Sequence, residues 1–215
     1  MFGLAKAYYA TVSSSLLIDR YERLEIMSTE EYHSFGRKLA FHTAPTLLGI
    51  KCASLVSLSR LEFDLGVHMR TFNRRASEKG LKIRIMHVCD TRCVMLVYNE
   101  KKLYERLHEK QTAAMLRSEG YDLNSRLDTM LNRLSRRMRD CTFPHEIGLF
   151  LDYPAEDVKG FIENNGGNYK LCGCWKVYGS EECARRKFEN YEKCRKFLCD
   201  KLSEGLDIYT ALRIS

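Results

Sequence analysis

Two β-rich runs, residues 82–88 (KIRIMHV) and 93–98 (CVMLVY), are separated only by Cys89-Asp90-Thr91-Arg92. That spacing reads as a hairpin, the clearest in the chain. Helical signals flank it on both sides. Residues 62–79 carry Leu65, Met69 and Phe72 at helical spacing and end at Gly80, a natural C-cap. Residues 100–118 and 123–140 read as two long helices broken at Glu119-Gly120-Tyr121. The second has an apolar stripe of Leu127, Met130, Leu131, Leu134 and Met138, with Arg126, Arg133, Arg136, Arg137 and Arg139 on its other faces. The chain therefore reads as α+β: a helix-rich single domain with a β-hairpin and a short C-terminal strand or hairpin packed under helices.

Upstream, residues 1–26 read as a loosely amphipathic helix and an N-terminal extension. Ser28-Thr29-Glu30-Glu31 is a capping box. The helix it opens is expected to run to Phe41 and stop before Pro45, which disfavours helical geometry at Ala44. The second half of residues 46–58 (TLLGIKCASLVSL) alternates enough for a strand, and a buried helix is equally open. Downstream come residues 144–150, a turn at Asp152-Tyr153, and a helix over 154–163 with proline in its first turn. Asn164-Asn165-Gly166-Gly167 breaks the chain before residues 169–178 (YKLCGCWKVY), a strand or tight hairpin pivoting at Gly173. Ser180 caps a last helix to about Ser203, with Phe188, Tyr191, Phe197 and Leu198 facing inward. The domain spans residues 27–203, and 204–215 read as a tail.

Charge and cysteine content bound the function. The longest stretches without Asp, Glu, Lys or Arg, residues 7–18 and 39–50, have 12 residues each, short of the roughly 20 a spanning helix needs. An odd number of cysteines, nine, without a secretory signal favours free thiols in a reducing cytoplasm over a disulfide framework. The net charge of +7 centres on residues 61–110, which hold 11 basic and seven acidic groups, whereas residues 151–215 balance at 11 each. A mid-chain surplus suits docking of an acidic partner better than gripping DNA.

Several constellations are candidates for chemistry. Cys172 and Cys174 project from one face of a strand, and Cys89 and Cys93 flank a turn. Without a second knuckle or matching histidines, neither pair makes a metal motif. His145-Glu146 reads as a helix-start pair or a proton-transfer pair. Lys51, in an apolar segment with His42 and Pro45, needs an internal carboxylate or an anionic ligand. Tyr169, Trp175 and Tyr178 interleave with Lys170 and Lys176, as in a cationic stacking platform or a sheet packed under the last helix. Residues 144–163 have the apolar spacing of a helix-turn-helix unit, but Glu156, Asp157 and Glu163 make its second helix repel phosphates. Nucleotide-binding and nucleophile-elbow motifs are absent.

The chain resembles an uncharacterised family of anaerobic clostridial bacteria. The resemblance rests on residues 42–51 (HTAPTLLGIK), 143–151 (FPHEIGLFL), Tyr153-Pro154-x2-Asp157-Val158-x-Gly160-Phe161-Ile162, and the 168–179 stretch NYKLCGxWKVYG. It covers about residues 28–200. At the position before Trp175 the family commonly has tyrosine, where this chain has Cys174. The resemblance supplies no catalytic residues. It implies an accessory role beside a flavodoxin-type electron carrier or redox enzyme, and the basic residues Arg126, Arg133, Arg136, Arg137 and Arg139 are the expected docking groups. A small anionic ligand held by His42, Lys51, His145, Glu146, Tyr169, Trp175 and Lys176 is the companion expectation. A small enzyme acting on an anionic substrate and a nucleic-acid-binding regulator are the alternatives. No cofactor is indicated.

Overall fold

The computed structural model describes residues 29–139 and 144–214. The helix expected over residues 1–26 and the capping Ser28 lie outside them. The elements are α1 (Thr29–Leu47), β1 (Ala53–Ser59), α2 (Leu65–Arg75) with a 3-10 turn (Ala76–Lys79), β2 (Leu81–Val88), β3 (Arg92–Asn99), α3 (Glu100–His108), α4 (Lys110–Ser118), α5 (Leu127–Arg137), α6 (Ile147–Phe150), α7 (Ala155–Glu163), β4 (Leu171–Cys172), β5 (Lys176–Val177), α8 (Glu181–Ser203) and α9 (Ile208–Ala211). The fold is the helix-rich α+β domain the sequence implies. Among the described residues no helix is long and apolar enough to cross a membrane.

The hairpin forms as expected and gains a third strand, giving an antiparallel sheet in the order β1-β3-β2. Strand β3 is apolar at nearly every position because both of its faces are covered. Cys93, Met95 and Val97 enter one core with Phe35, Leu39 and Phe72. Leu96 and Tyr98 enter a second core with Leu103, Leu131 and Phe150. Helices α1, α2, α8 and α9 thus line one face of the sheet, and α3 to α7 the other. Trp175, Val177, Ala184 and Tyr191 form a satellite core where the β4–β5 hairpin meets α8.

Four expectations need correction. First, α1 runs through Pro45 to Leu47. A proline there leaves the Phe41 carbonyl without its usual intrahelical donor. Arg195 of α8 supplies the replacement, donating from Nε to the Phe41 oxygen at 3.1 Å. Second, residues 100–118 form two helices, because Glu109 is extended (φ −59, ψ 139) and ion-pairs with Arg106. Third, Phe197 is 50% exposed rather than inward-facing. Fourth, the expected tail is part of the core: Ile208, Tyr209, Leu212 and Ile214 are buried. Asp207 caps α9 by accepting from the Tyr209 amide at 2.8 Å, and the Tyr209 ring stacks on Tyr32 and under Arg75.

Two predictions follow from these contacts. Arg195→Ala should cost about 1 kcal/mol or less by exchanging this exposed bond to the Phe41 carbonyl for water, a drop of at most roughly 2–4 °C in melting temperature. Pairing it with Pro45→Ala, which restores the intrahelical donor, should recover much of that loss. His68, 2% exposed, stacks on Phe35 at 4.1 Å and meets Glu31 at 3.0 Å. Burial lowers its pKa below 6.5, with Glu31 opposing. The unfolded chain therefore takes up this proton first, so stability is full above about 6.5 and falls as pH drops towards the folded value. His68→Gln should flatten that part of a melting-temperature-against-pH curve.

Candidate functional site

Residues 144–179 fold into a short helix, a turn, a second helix and a hairpin, and close packing builds the site between them. Gly148 of α6 lets α7 approach, since a Cβ there would sit 2.8 Å from Val158 Cγ2 and 3.1 Å from Tyr153 Cδ2. Gly160 of α7 does the same for the hairpin, where a Cβ would overlap the Tyr178 ring. At this level Gly and the side chains opposite it act as one unit, because packed interiors leave no room for a methyl group.

Asp157, 3% exposed, latches α7 to the hairpin. Its Oδ2 accepts from Trp175 Nε1 at 2.7 Å, and its Oδ1 accepts from the backbone amides of Tyr178 at 2.7 Å and Gly179 at 2.8 Å. A buried carboxylate is costly unless such donors replace water. With both oxygens engaged, it fixes the indole rather than offering a free base. Trp175 is further held by stacking on Tyr153 (centroids 5.0 Å, planes 25° apart) and by an edge contact with Phe188 at 4.6 Å.

Beside this latch lies an apolar cleft of about 290 Å³. Ile147, Gly148 and Val158 line it from the helices, and Tyr153, Phe161 and Trp175 supply aromatic walls. His145 and Lys176 bring its basic groups. His145 packs against Phe161 at 5.1 Å. The Lys176 amine donates to the Gly166 carbonyl at 2.6 Å and lies 4.9 Å from the Tyr169 ring centre and 5.8 Å from that of Phe161. Such a space suits a small molecule with a flat apolar body.

Of the residues expected to bind ligand, the fold thus brings His145, Trp175 and Lys176 together, with Tyr169 against Lys176. The other three lie elsewhere. Glu146, 2% exposed, is paired to Arg137 Nε at 2.5 Å and accepts from the Tyr121 hydroxyl at 3.0 Å. Burial, then the Glu146 charge, pushes the Tyr121 phenol up, so it stays protonated as a donor. Lys51, 9% exposed, sits behind the cleft wall with its amine 5.3 Å from the Tyr153 ring centre and 5.5 Å from that of Tyr191. Burial pushes that amine below the ordinary lysine range, opposed by Asp152. His42 lines a separate groove. No contact joins His145, Glu146 and Lys51 among the described residues.

The arginines divide in the same way. Arg137 bonds Glu119 at 2.8 Å as well as Glu146, and Arg133 donates to the Glu119 carbonyl at 2.9 Å and covers the Tyr121 ring. Arg126, Arg136 and Arg139 are exposed. The helix-turn-helix spacing corresponds to a four-residue α6 and a nine-residue α7. The Gly160 face of α7, which groove recognition needs free, is covered by the hairpin. Cys172 and Cys174 are free and exposed.

The turn between α6 and α7 ties the site to the rest of the domain. Asp152 adopts φ 63°, unusual for a non-glycine residue, and is held there by Arg106 Nε at 3.2 Å and the Cys52 amide at 3.4 Å. Arg106 also donates to the Tyr153 carbonyl at 2.7 Å. Sequence pattern alone does not mark Tyr153, Asp157 and Phe161 as site residues. Their signal is the Pro154-x2-Asp157-x3-Phe161 helical spacing behind a turn, where the aspartate reads as one more repulsive surface acid.

A family model described as "Protein of unknown function (DUF3793)" matches residues 39–212. No curated protein and no solved structure matches the chain. Asp157→Asn tests the latch. It sets an amide against the indole N–H or against two backbone amides, at a cost of about 2 kcal/mol. The melting temperature should fall by roughly 4–8 °C with a changed near-ultraviolet tryptophan signal. Wild-type values for both would show that the latch carries no stability.

Proposed function

This chain belongs to the DUF3793 family, and we propose that it is a non-catalytic binding protein whose cleft between α6, α7 and the β4–β5 hairpin holds a small, flat, largely apolar molecule bearing a negative charge. The observation that carries this reading is the pairing of three aromatic walls, Tyr153, Phe161 and Trp175, with the basic groups Lys176 and His145. Asp157 also lines the cleft, with both of its oxygens engaged by the indole N–H and two backbone amides. The cleft is also built from the segments through which the chain resembles the family.

The competing readings find less support. A hydrolytic or proton-transfer centre needs His145, Glu146 and Lys51 to converge, and each has separate partners. Docking of an acidic electron carrier such as a flavodoxin retains Arg126, Arg136 and Arg139, while Arg133 and Arg137 serve the interior. An accessory role in redox metabolism remains compatible with a ligand-binding cleft.

Trp175 is the chain's sole tryptophan, so its fluorescence reports occupancy directly. Titration with 1-naphthoate should quench it saturably. Neutral 1-naphthamide should bind at least about fivefold more weakly, since one charge contact contributes on the order of 1 kcal/mol. Lys176→Met should erase that preference. Quenching that does not saturate, or equal affinity for the acid and the amide, would count against the proposal.

A further inference from the structure

A second, more polar groove of about 380 Å³ opens between α1, β1, β3 and α8. Its basic groups are Arg37, Lys38 and His42 from α1 and Arg92 from β3. Lys38 is ion-paired with Glu62 at 2.6 Å. Among the described residues, Arg37 and Arg92 have no carboxylate partner. Arg92 is nevertheless held in place, donating from Nε to Ser57 Oγ at 2.9 Å and from one terminal nitrogen to the Ser57 carbonyl at 2.5 Å. Those bonds orient the guanidinium while leaving further N–H groups unspent.

We propose that this groove binds a phosphate monoester carried on a small molecule with a flat ring, its phosphoryl oxygens bonded to Arg37 and Arg92 and its ring laid on Phe41. Two uncompensated guanidinium groups match a dianion, and their planar donor sets suit phosphoryl oxygens. Ser59 Oγ, which accepts from the Leu61 amide at 3.2 Å, keeps its own hydrogen to donate. Phe41 is 53% exposed at the groove edge, and Arg195 lies 5.2 Å from its ring centre. The ring is thus exposed enough for stacking. His42 reports the local field: partial burial, then the positive charges of Arg195, Lys38 and Arg92, hold its imidazole below the ordinary value. The groove volume fits a small molecule.

The test uses the full chain, calorimetric titration at low salt, and four probes: AMP, ribose 5-phosphate, inorganic phosphate and adenosine. AMP should bind tightest, ribose 5-phosphate about tenfold more weakly, and adenosine below detection. Arg37→Glu, at an exposed side chain with no partner to lose among the described residues, should weaken AMP at least tenfold while leaving the melting temperature unchanged. Phe41→Ser should reduce AMP to the affinity of ribose 5-phosphate. Higher salt should weaken every phosphate probe, because these charges face solvent. Trp175 fluorescence should stay constant at AMP saturation, which separates this groove from the cleft. No heat from any phosphate at millimolar concentration, or wild-type AMP affinity in Arg37→Glu, overturns the proposal. Inorganic phosphate binding as tightly as AMP, or no effect of Phe41→Ser, overturns its ester and ring components.

Discussion

Burial of β3 on both faces is the constraint on which the domain depends. A strand that sends Met95 and Val97 into one core and Leu96 and Tyr98 into the other needs helices above and below the sheet. One layer is recruited from both ends of the described chain, α1 and α2 with α8 and α9; the other comes from its middle, α3 to α7. Because side chains alternate along a strand, a one-residue slip in register would exchange the two cores. The hairpin to β2 and the pairing of Tyr98 with Ala53 and Cys93 with Leu58 hold that register.

One joint between the site and this frame lies at the turn after α6. Lys51 and Cys52 precede β1, and they meet the turn after α6: the Cys52 amide donates to Asp152, and the Lys51 amine lies over Tyr153. Arg106 of α3 grips the same turn from the other side. Tyr153 is therefore shared, with Lys51 near its ring and Trp175 stacked on it. Asp157 then fixes the hairpin from the opposite direction, so two acidic residues, Asp152 and Asp157, position the aromatic walls.

Features governed by near neighbours were legible in the sequence. The hairpin over residues 82–98, the Gly80 stop, the Ser180 cap and the pivot at Gly173 all depend on a handful of adjacent residues, and all appear where expected. Within the site, His145, Trp175 and Lys176 stood out as residue types suited to ligands. Asp157 did not, since a carboxylate in a first helical turn looks the same whether it faces water or an indole N–H. Glu146 and Arg137 each looked like surface groups with functional potential, and they satisfy one another inside the protein.

By itself, then, the sequence determined the α+β class, most helix and strand positions, the hairpin, and the aromatic and basic character of the 145–178 region. These follow from capping, turn chemistry and periodicity, which act over a few residues. Only the tertiary structure decided that α1 passes through Pro45, because the donor that replaces the missing bond, Arg195, lies 154 positions away. The same holds for the end of the chain, folded inward by Tyr32, Arg75 and the first core, and for the separation of His42, Lys51 and Glu146 from the cleft. Long-range partners set whether a charge is spent internally or left available, and that distinction separates Arg137 from Arg37 and Asp157 from an ordinary surface acid.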